Sequence, residues 1–328
     1  MFLFNNFTDT IFLKKSFDLE DRLKALNILK EKYPNNMDLL EEYYIVKKGL
    51  DGEKEIEYQL TKSNLGMYVL HDINIEVDDL KAQIDYVIFT KTSTYLVECK
   101  NLIGNITVNE KGDFIREYVV NNRKIKKGMY SPIRQVEAQK AVLKKLWLSQ
   151  HNKLEQALFS KKFDNNYKTL VVAANNETIL NTRFAPKDIK RRVLKSDALI
   201  RKLEEDINDA DRDSLSNKKQ LEECANSFLS KNVSKTTDYI EYYKEKFNLD
   251  ETLKEVKSDD LKERLIKFRK ERSSSMGIPA YYVFTNDELD KIIELKPNTL
   301  EELINAKILS NIKIKTHGKE IINVINNS

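Results

Sequence analysis

AQIDYVIFTKTSTYLVECKNLIGN, residues Ala82 to Asn105, reads as two short strands joined by a turn. IDYVIF (Ile84 to Phe89) and TYLVEC (Thr94 to Cys99) are apolar and β-branched or aromatic, and the TKTS cluster between them has the composition of a turn. Each strand carries an acid where a buried hydrophobe is expected: Asp85 in the first and Glu98 in the second, with Lys100 two residues further on. Side chains alternate along a strand, so Glu98 and Lys100 share one face and Cys99 takes the other. Two carboxylates and an ammonium on apolar strands are costly unless they pair with one another or hold a cation.

Both solutions are open on spacing alone. One is a structural ion pair of Lys100 with Glu98 or Asp85 at a strand end. The other is a metal site. Two hard oxygen ligands, with a backbone carbonyl and waters, suit Mg²⁺ or Mn²⁺. Such an ion polarises a phosphoryl group and lowers the pKa of a bound water. A lysine beside it orients that water and stabilises charge developing on the phosphate. The chemistry that fits is hydrolysis of a phosphodiester.

The flanks carry a resemblance. The run Asp85…Glu98-Cys99-Lys100 resembles the active-site signature of the PD-(D/E)XK nuclease superfamily, and residues 49 to about 180 resemble the nuclease-related domain, NERD. The matching pieces are GLDGEKEIEYQL (Gly49 to Leu60), AQIDYVIF, YLVECKNLIGNI (Tyr95 to Ile106), SPIRQ (Ser131 to Gln135) and LVVAANN (Leu170 to Asn176), in the family's order. The resemblance implies a catalytic set of Glu53, Asp85, Glu98 and Lys100, joined by Gln135 from a later helix. It also implies that Asp85, Glu98 and the main-chain carbonyl of Cys99 hold the metal. Tyr86 departs from the family, which usually carries His after the Asp, and Cys99 stands where Thr or Val is common. Neither change removes a metal ligand.

Composition limits the alternatives. The chain has 328 residues, enough for two or three domains, with 41% hydrophobic and 33% charged residues, as expected of a water-soluble globular protein. A net charge of +4 permits a nucleic-acid partner without arguing for one. Two distant cysteines, Cys99 and Cys224, exclude a disulfide framework and a zinc ribbon, and three scattered histidines (His71, His151, His317) offer no histidine metal cluster. No apolar run approaches the ~18 residues of a membrane span. The apolar start MFLFNNFTDTIFLKK lacks a basic n-region and is interrupted by Asp9, so it is not read as a signal peptide. No membrane partner and a cytoplasmic location are expected.

In chain order, residues 1–48 read as a helical lead-in packing on the nuclease domain, broken at Pro34-Asn35-Asn36. Gly49 and Gly52 bracket the start of the next helix, with Asp51 as N-cap and Glu53 in the first turn. There Glu53 is either a carboxylate favoured by the helix dipole or an acid of the site. MYVLHDINIEV (Met67 to Val77) is a strand, and its His71 reads as structural or surface. Gly104 marks a bulge or a close backbone approach, followed by strand-like GNITV and FIREYVV. From Lys111 to Trp147 ten Lys/Arg face three acids. This is either a solvated surface or a phosphate track. NNRKIKKG (Asn121 to Gly128) reads as a flexible basic loop; Arg123, Lys124, Lys126, Lys127 and Arg134 are the nucleic-acid candidates of this region. Ser131-Pro132 starts a helix carrying Gln135, and LVVAA (Leu170 to Ala174) is a buried strand. From Pro186 to about Leu265 everything reads as helix, with Cys224 on an apolar helix face, where it is expected as a buried small hydrophobe.

The C-terminus has its own pattern. GIPAYYVFTNDEL (Gly277 to Leu289), KPNTLEEL (Lys296 to Leu303) and HGKEII (His317 to Ile322) resemble the HRDC domain found at the end of RecQ-type helicases and ribonuclease D. Asn286 and Asn298 or Thr299 are the expected caps, with Leu289, Ile292, Leu300, Leu303, Ile321, Ile322 and Ile325 as core. The resemblance implies nucleic-acid binding, for which Lys313, Lys315, His317 and Lys319 are candidates; a structural or protein-binding bundle is the other reading.

Together these observations lead to an α/β, restriction-endonuclease-like (PD-(D/E)XK) core with a mixed central sheet, plus a C-terminal all-α HRDC-like helical bundle. The expected divisions are 1–48 (lead-in), 49–185 (nuclease), 186–258 (helical connector) and 259–328 (HRDC-like). The function expected is that of a Mg²⁺- or Mn²⁺-dependent nuclease or nickase acting on DNA, in DNA processing or defence against foreign DNA. A homo-oligomer or an activating partner protein is left open. The alternative is a non-catalytic nucleic-acid-binding or scaffold protein that keeps the fold; intact Asp85, Glu98 and Lys100 speak against it.

Overall fold

The acid-bearing hairpin lies at the centre of a six-stranded mixed sheet. The computed structural model describes residues 7–34, 36–120, 123–210, 215–234, 236–249 and 260–326. Six strands form this sheet: β1 (Thr10–Lys14), β2 (Met67–Val77), β3 (Leu80–Phe89), β4 (Thr94–Lys100), β8 (Tyr167–Ala173) and β10 (Val193–Lys195), in the order β1-β2-β3-β4-β8-β10. The β2–β3 and β3–β4 pairs are antiparallel, and the three others are parallel. A second sheet has four strands, β7 (Arg123–Met129), β6 (Phe114–Val120), β5 (Asn105–Val108) and β9 (Leu180–Asn181), in the order β7-β6-β5-β9 with the basic β7 at one edge. Gly104 turns the chain into it with φ 95°, and a Cβ there would stand 2.3 Å from the Glu117 carbonyl oxygen, so the close approach requires glycine.

Alternation along the strands feeds a core on each side of the large sheet. On one side Leu96, Val87 and Val171 pack with Ile133, Val136 and Leu143 of α3 (Pro132–Ser149) and Leu221, Ala225 and Phe228 of α7 (Lys218–Leu229). On the other, Tyr86, Ile88, Tyr95 and Val97 pack with Ile56 and Leu60 of α2 (Met37–Thr61) and Leu199 and Leu203 of α6 (Leu199–Asn208). Burial of this apolar area, at about 25 cal/mol per Å², is the main force holding the layers together.

The regular ladder breaks beside Asp85. On β2, Asp72 takes a left-handed conformation (φ 52°), and the β2–β3 register passes from His71↔Tyr86 to Ile73↔Ile84. Leu70 and Ile73 consequently enter the same core, where strict alternation would separate them. The β3–β4 register runs from Phe89↔Thr94 to Tyr86↔Val97 and ends there. Asp85 thus stands at an interruption with both neighbouring strands, where a polar side chain leaves the ladder undisturbed.

Several sequence expectations about the elements need correction. Residues 1–48 are not all helical, since Thr10–Lys14 is an edge strand parallel to β2. Gly49 and Gly52 do not open a helix: α2 runs unbroken through them, so Asp51 is no N-cap and Glu53 lies mid-helix. Residues 123–129 form strand β7, not a flexible loop, while Asn121 and Asn122 lie outside the described residues. The supposedly all-helical stretch from Pro186 contains β10, paired with β8 through Val193↔Val171; its DETLKEV segment lies outside the described residues.

The chain falls into two compact units, Met1–Glu20 with Lys47–Thr236, and Asp21–Val46 with Thr237–Ser328. Residues 21–46 therefore group with the C-terminal unit and not with the nuclease-like one. That second unit is helical: α9 (Asp260–Met276), α10 (Asn286–Leu295), α11 (Leu300–Asn305) and α12 (Asn311–Asn326) surround a core of Leu265, Phe284, Leu289, Ile292, Leu303 and Ile321. Thr285, not Asn286, caps α10 in a capping box with Glu288, and Thr299 caps α11.

Candidate active site

Glu98 is 2% exposed, at the end of β4, and its carboxylate is held from three directions. Lys100 Nζ (2.5 Å) and Gln135 Nε2 (2.7 Å) donate to Oε1, and Gln139 Nε2 (2.8 Å) donates to Oε2. The ion pair allowed by the spacing is therefore formed, between Lys100 and Glu98. Gln135 and Gln139 sit one turn apart on α3, so i,i+4 geometry brings both amides to one carboxylate. A carboxylate has about four lone-pair directions, and these donors use three.

Asp85 accepts the main-chain N–H of Cys99 at Oδ2, 2.7 Å away. Burial, then the charges of Glu98 and Glu53, push its carboxyl well above the usual carboxylate range, against the Cys99 amide and the Lys100 ammonium. Cys99 contributes here through its main chain. Its thiol lies 3.2 Å from the point a Cβ on Gly52 would occupy, and burial, then the charge of Asp85, raises it well above the usual thiol range.

Gly52 explains how Glu53 reaches the site. A Cβ at Gly52 would stand 2.5 Å from Asn101 Cβ, so only glycine lets α2 lie this close to the end of β4. Asn101 Nδ2 donates to the Lys48 carbonyl (2.7 Å) and clamps the same crossing. Glu53 follows, beside Asp85, its carboxylate 2.9 Å from His71 Nε2 and its carbonyl accepting from the Tyr86 hydroxyl at 2.6 Å. Burial holds the His71 imidazole down to about 4. The structure thus brings together Glu53, Asp85, Glu98, Lys100 and Gln135.

Two residues were missed by sequence reasoning. Gln139 was findable, four residues after Gln135 on the same helical face. His71 was not: its approach to Glu53 depends on strand register and on the course of α2.

Among the described residues, no group of three or more His, Cys, Asp or Glu side chains forms a ready cation cage. The donor set is narrower: the carboxylates of Asp85 on β3 and Glu98 near the end of β4, with burial first and then Glu98 raising the Asp85 carboxyl above its ordinary range. That fits a hard divalent ion taking one or two carboxylates and keeping several waters, as Mg²⁺ does. A bound cation would offset the repulsion between these carboxylates.

The nucleic-acid candidates divide by exposure. Arg123, Lys124, Lys126 and Lys127 lie on the edge strand β7, with Lys126 2.9 Å from Glu117, and Arg134 is exposed in the first turn of α3. In the C-terminal unit Lys315 and Lys319 are exposed on α12. Lys313 is tied to Glu288 at 2.5 Å. His317 is 1% exposed, with Arg272 Nε 3.5 Å from its Nδ1, so the expectation that it contacts nucleic acid is corrected: the helix turns it inward. Cys224 is exposed, not buried. No described helix is long and apolar enough to cross a membrane.

Comparison with protein families identifies a nuclease-related domain over residues 48–173 and an HRDC domain over residues 258–325. The chain carries both, in that order. Neither the curated proteins nor the solved structures contain a significant match.

Proposed function

We propose that this chain, a nuclease-related domain with its acids intact followed by an HRDC domain, is a metal-dependent nuclease that hydrolyses DNA phosphodiester bonds. One observation carries the reading: Asp85, Glu98 and Lys100 converge at an interruption of the sheet, where Asp85 is held far from its ordinary ionisation. Strong perturbation by burial plus specific charge partners makes such a residue a functional-site candidate.

In this reading Asp85, Glu98 and the Cys99 carbonyl hold Mg²⁺ or Mn²⁺. When bound, the ion would polarise the phosphoryl group and acidify a water. Gln135 and Gln139 fix the plane of the Glu98 carboxylate. The Lys100 ammonium, now on Glu98 Oε1, lies close enough to orient the attacking water and to stabilise charge on the phosphate. Glu53 supplies a further carboxylate beside Asp85. The exposed bases of β7 and Arg134 offer salt-sensitive contacts to the phosphate backbone. The pairing with an HRDC domain supports a role in DNA processing or defence against foreign DNA.

Cleavage of supercoiled plasmid and single-stranded DNA with Mg²⁺ or Mn²⁺ tests this, comparing the native chain with Lys100→Ala. Metal-dependent cutting that the substitution abolishes is the expected result. Salt-sensitive binding by both proteins, with cutting by neither, would replace it with the non-catalytic nucleic-acid-binding reading.

A further inference from the structure

We propose that His71 is a positioning residue of the site, which with the Tyr86 hydroxyl holds Glu53 in place beside Asp85. The residues concerned come from three separate elements. His71 on β2 lies directly opposite Tyr86 on β3, and their rings pack with centroids 4.5 Å apart. Phe17 covers the imidazole from another side at 4.0 Å. The ring is fully buried, so its orientation is set by packing, with no water to compete for its nitrogens.

Both nitrogens are committed. Nδ1 meets the main-chain carbonyl oxygen of Ser16, which can only accept, so Nδ1 carries the hydrogen. This leaves Nε2 to face Glu53 Oε2, 2.9 Å away. Tyr86 completes the grip by donating from its hydroxyl to the Glu53 carbonyl oxygen at 2.6 Å. Glu53 is thus held at side chain and main chain by two residues that are cross-strand neighbours.

The position of the pair gives the grip its use. Tyr86 immediately follows Asp85, and His71 immediately precedes the left-handed Asp72 that interrupts the ladder. The same break that accommodates Asp85 therefore fixes the two rings that hold Glu53. A buried imidazole in this arrangement acts on the neighbouring carboxylate as an orienting partner, a role whose loss at metal sites costs about 10–100-fold in affinity or activity. Its catalytic consequence rests on the proposed nuclease reading; the hydrogen bond itself does not.

Two measurements on the full chain separate these. In ¹⁵N-histidine spectra the His71 Nε2 resonance is expected to move in Glu53→Leu while those of His151 and His317 stay fixed; an unmoved His71 resonance would overturn the proposal. In the cleavage assay His71→Phe keeps the packed ring and loses both nitrogens. It is expected to lower kcat by about 10–100-fold with KM for DNA little changed, and His71→Gln, which restores a hydrogen-bonding group, is expected to recover part of the loss. A folded His71→Phe that cuts at the native rate would overturn the proposal. If His71→Phe does not fold, Tyr86→Phe, which deletes only the hydroxyl bound to Glu53, takes its place with the same criterion. If the native chain cuts no nucleic acid, the nuclease reading falls, and the histidine spectra still decide whether His71 holds Glu53.

Discussion

The main-chain amide of Cys99 donates to the Asp85 carboxylate at 2.7 Å, just past Tyr86↔Val97, where the β3–β4 ladder ends. The side chain of Asp85 thus takes over the role of a strand partner. Its ionised form is nevertheless disfavoured, by burial first and then by Glu98 and Glu53. Asp85→Asn keeps an acceptor for the amide and removes the charge. The variant is expected to be inactive yet more stable than the native chain in metal-free buffer, with Tm raised by roughly 2–4 °C for each kcal/mol gained.

The pH dependence has a definite sign. A carboxyl whose folded pKa is raised binds its proton more tightly in the folded state than in the unfolded one. Its contribution to stability is present at low pH and is lost as pH rises from the ordinary carboxylate value through the raised one. The advantage of Asp85→Asn is therefore expected to grow with pH across that window. Thermal melts of both proteins between acid and neutral pH check this, and a variant that melts below the native chain at neutral pH would contradict the electrostatic account.

A divalent cation held by Asp85 and Glu98 would offset the native deficit. A divalent ion that binds only the folded state stabilises it by RT ln(1 + [L]/Kd), about 2.7 kcal/mol at a hundredfold excess over Kd. Mg²⁺ or Mn²⁺ is expected to raise the Tm of the native chain, and to leave Asp85→Asn where it was. Chelator is expected to return the native chain to its starting Tm. An equal shift in both proteins would mean that the ions bind elsewhere.

Gln139 is predicted to matter for stability as much as for activity. It donates to Glu98 Oε2 at 2.8 Å from a side chain only 7% exposed. Gln139→Leu leaves the packing and removes a donor from a buried carboxylate, a loss of about 1.5–3 kcal/mol. Gln139→Glu is expected to cost more, because it sets a second carboxylate against the first. Urea unfolding of the three proteins measures the order; Gln139→Leu as stable as the native chain would show that Lys100 and Gln135 alone satisfy Glu98.

The sequence shows the central site because acids at Asp85 and Glu98 break an apolar β pattern, and Ser131-Pro132 marks the helix that delivers Gln135. It conceals what depends on tertiary packing. Gly49 and Gly52 look like a helix start, yet Gly52 is there because α2 crosses β4 at Asn101. His71 looks structural until the register sets it opposite Tyr86 and the helix carries Glu53 to it. VLK is only three residues long and lies between helical patterns, so β10 leaves no periodic trace of its own. RKIKKGM reads as a loop because lysine and glycine disfavour strands, but an edge strand tolerates lysine and uses it to block unwanted pairing.

That edge also yields the sharpest prediction about substrate. Arg123, Lys124 and Lys127 lie on β7, whereas Lys126 lies 2.9 Å from Glu117 and Lys313 lies 2.5 Å from Glu288. A cation already committed to a carboxylate releases fewer counterions when DNA arrives. Replacing Arg123, Lys124 and Lys127 together by alanine is expected to weaken binding of duplex DNA uniformly across sequences. The slope of log K against log salt should become shallower by about 0.9 for each phosphate that the variant no longer neutralises. Lys313→Ala should leave that slope unchanged, since its amine is held by the acid of the α10 capping box. Affinities measured over a series of salt concentrations decide the matter: an unchanged slope in the triple variant would remove β7 from the DNA-binding surface, and a shallower slope in Lys313→Ala would mean that Glu288 gives up its partner to the phosphate.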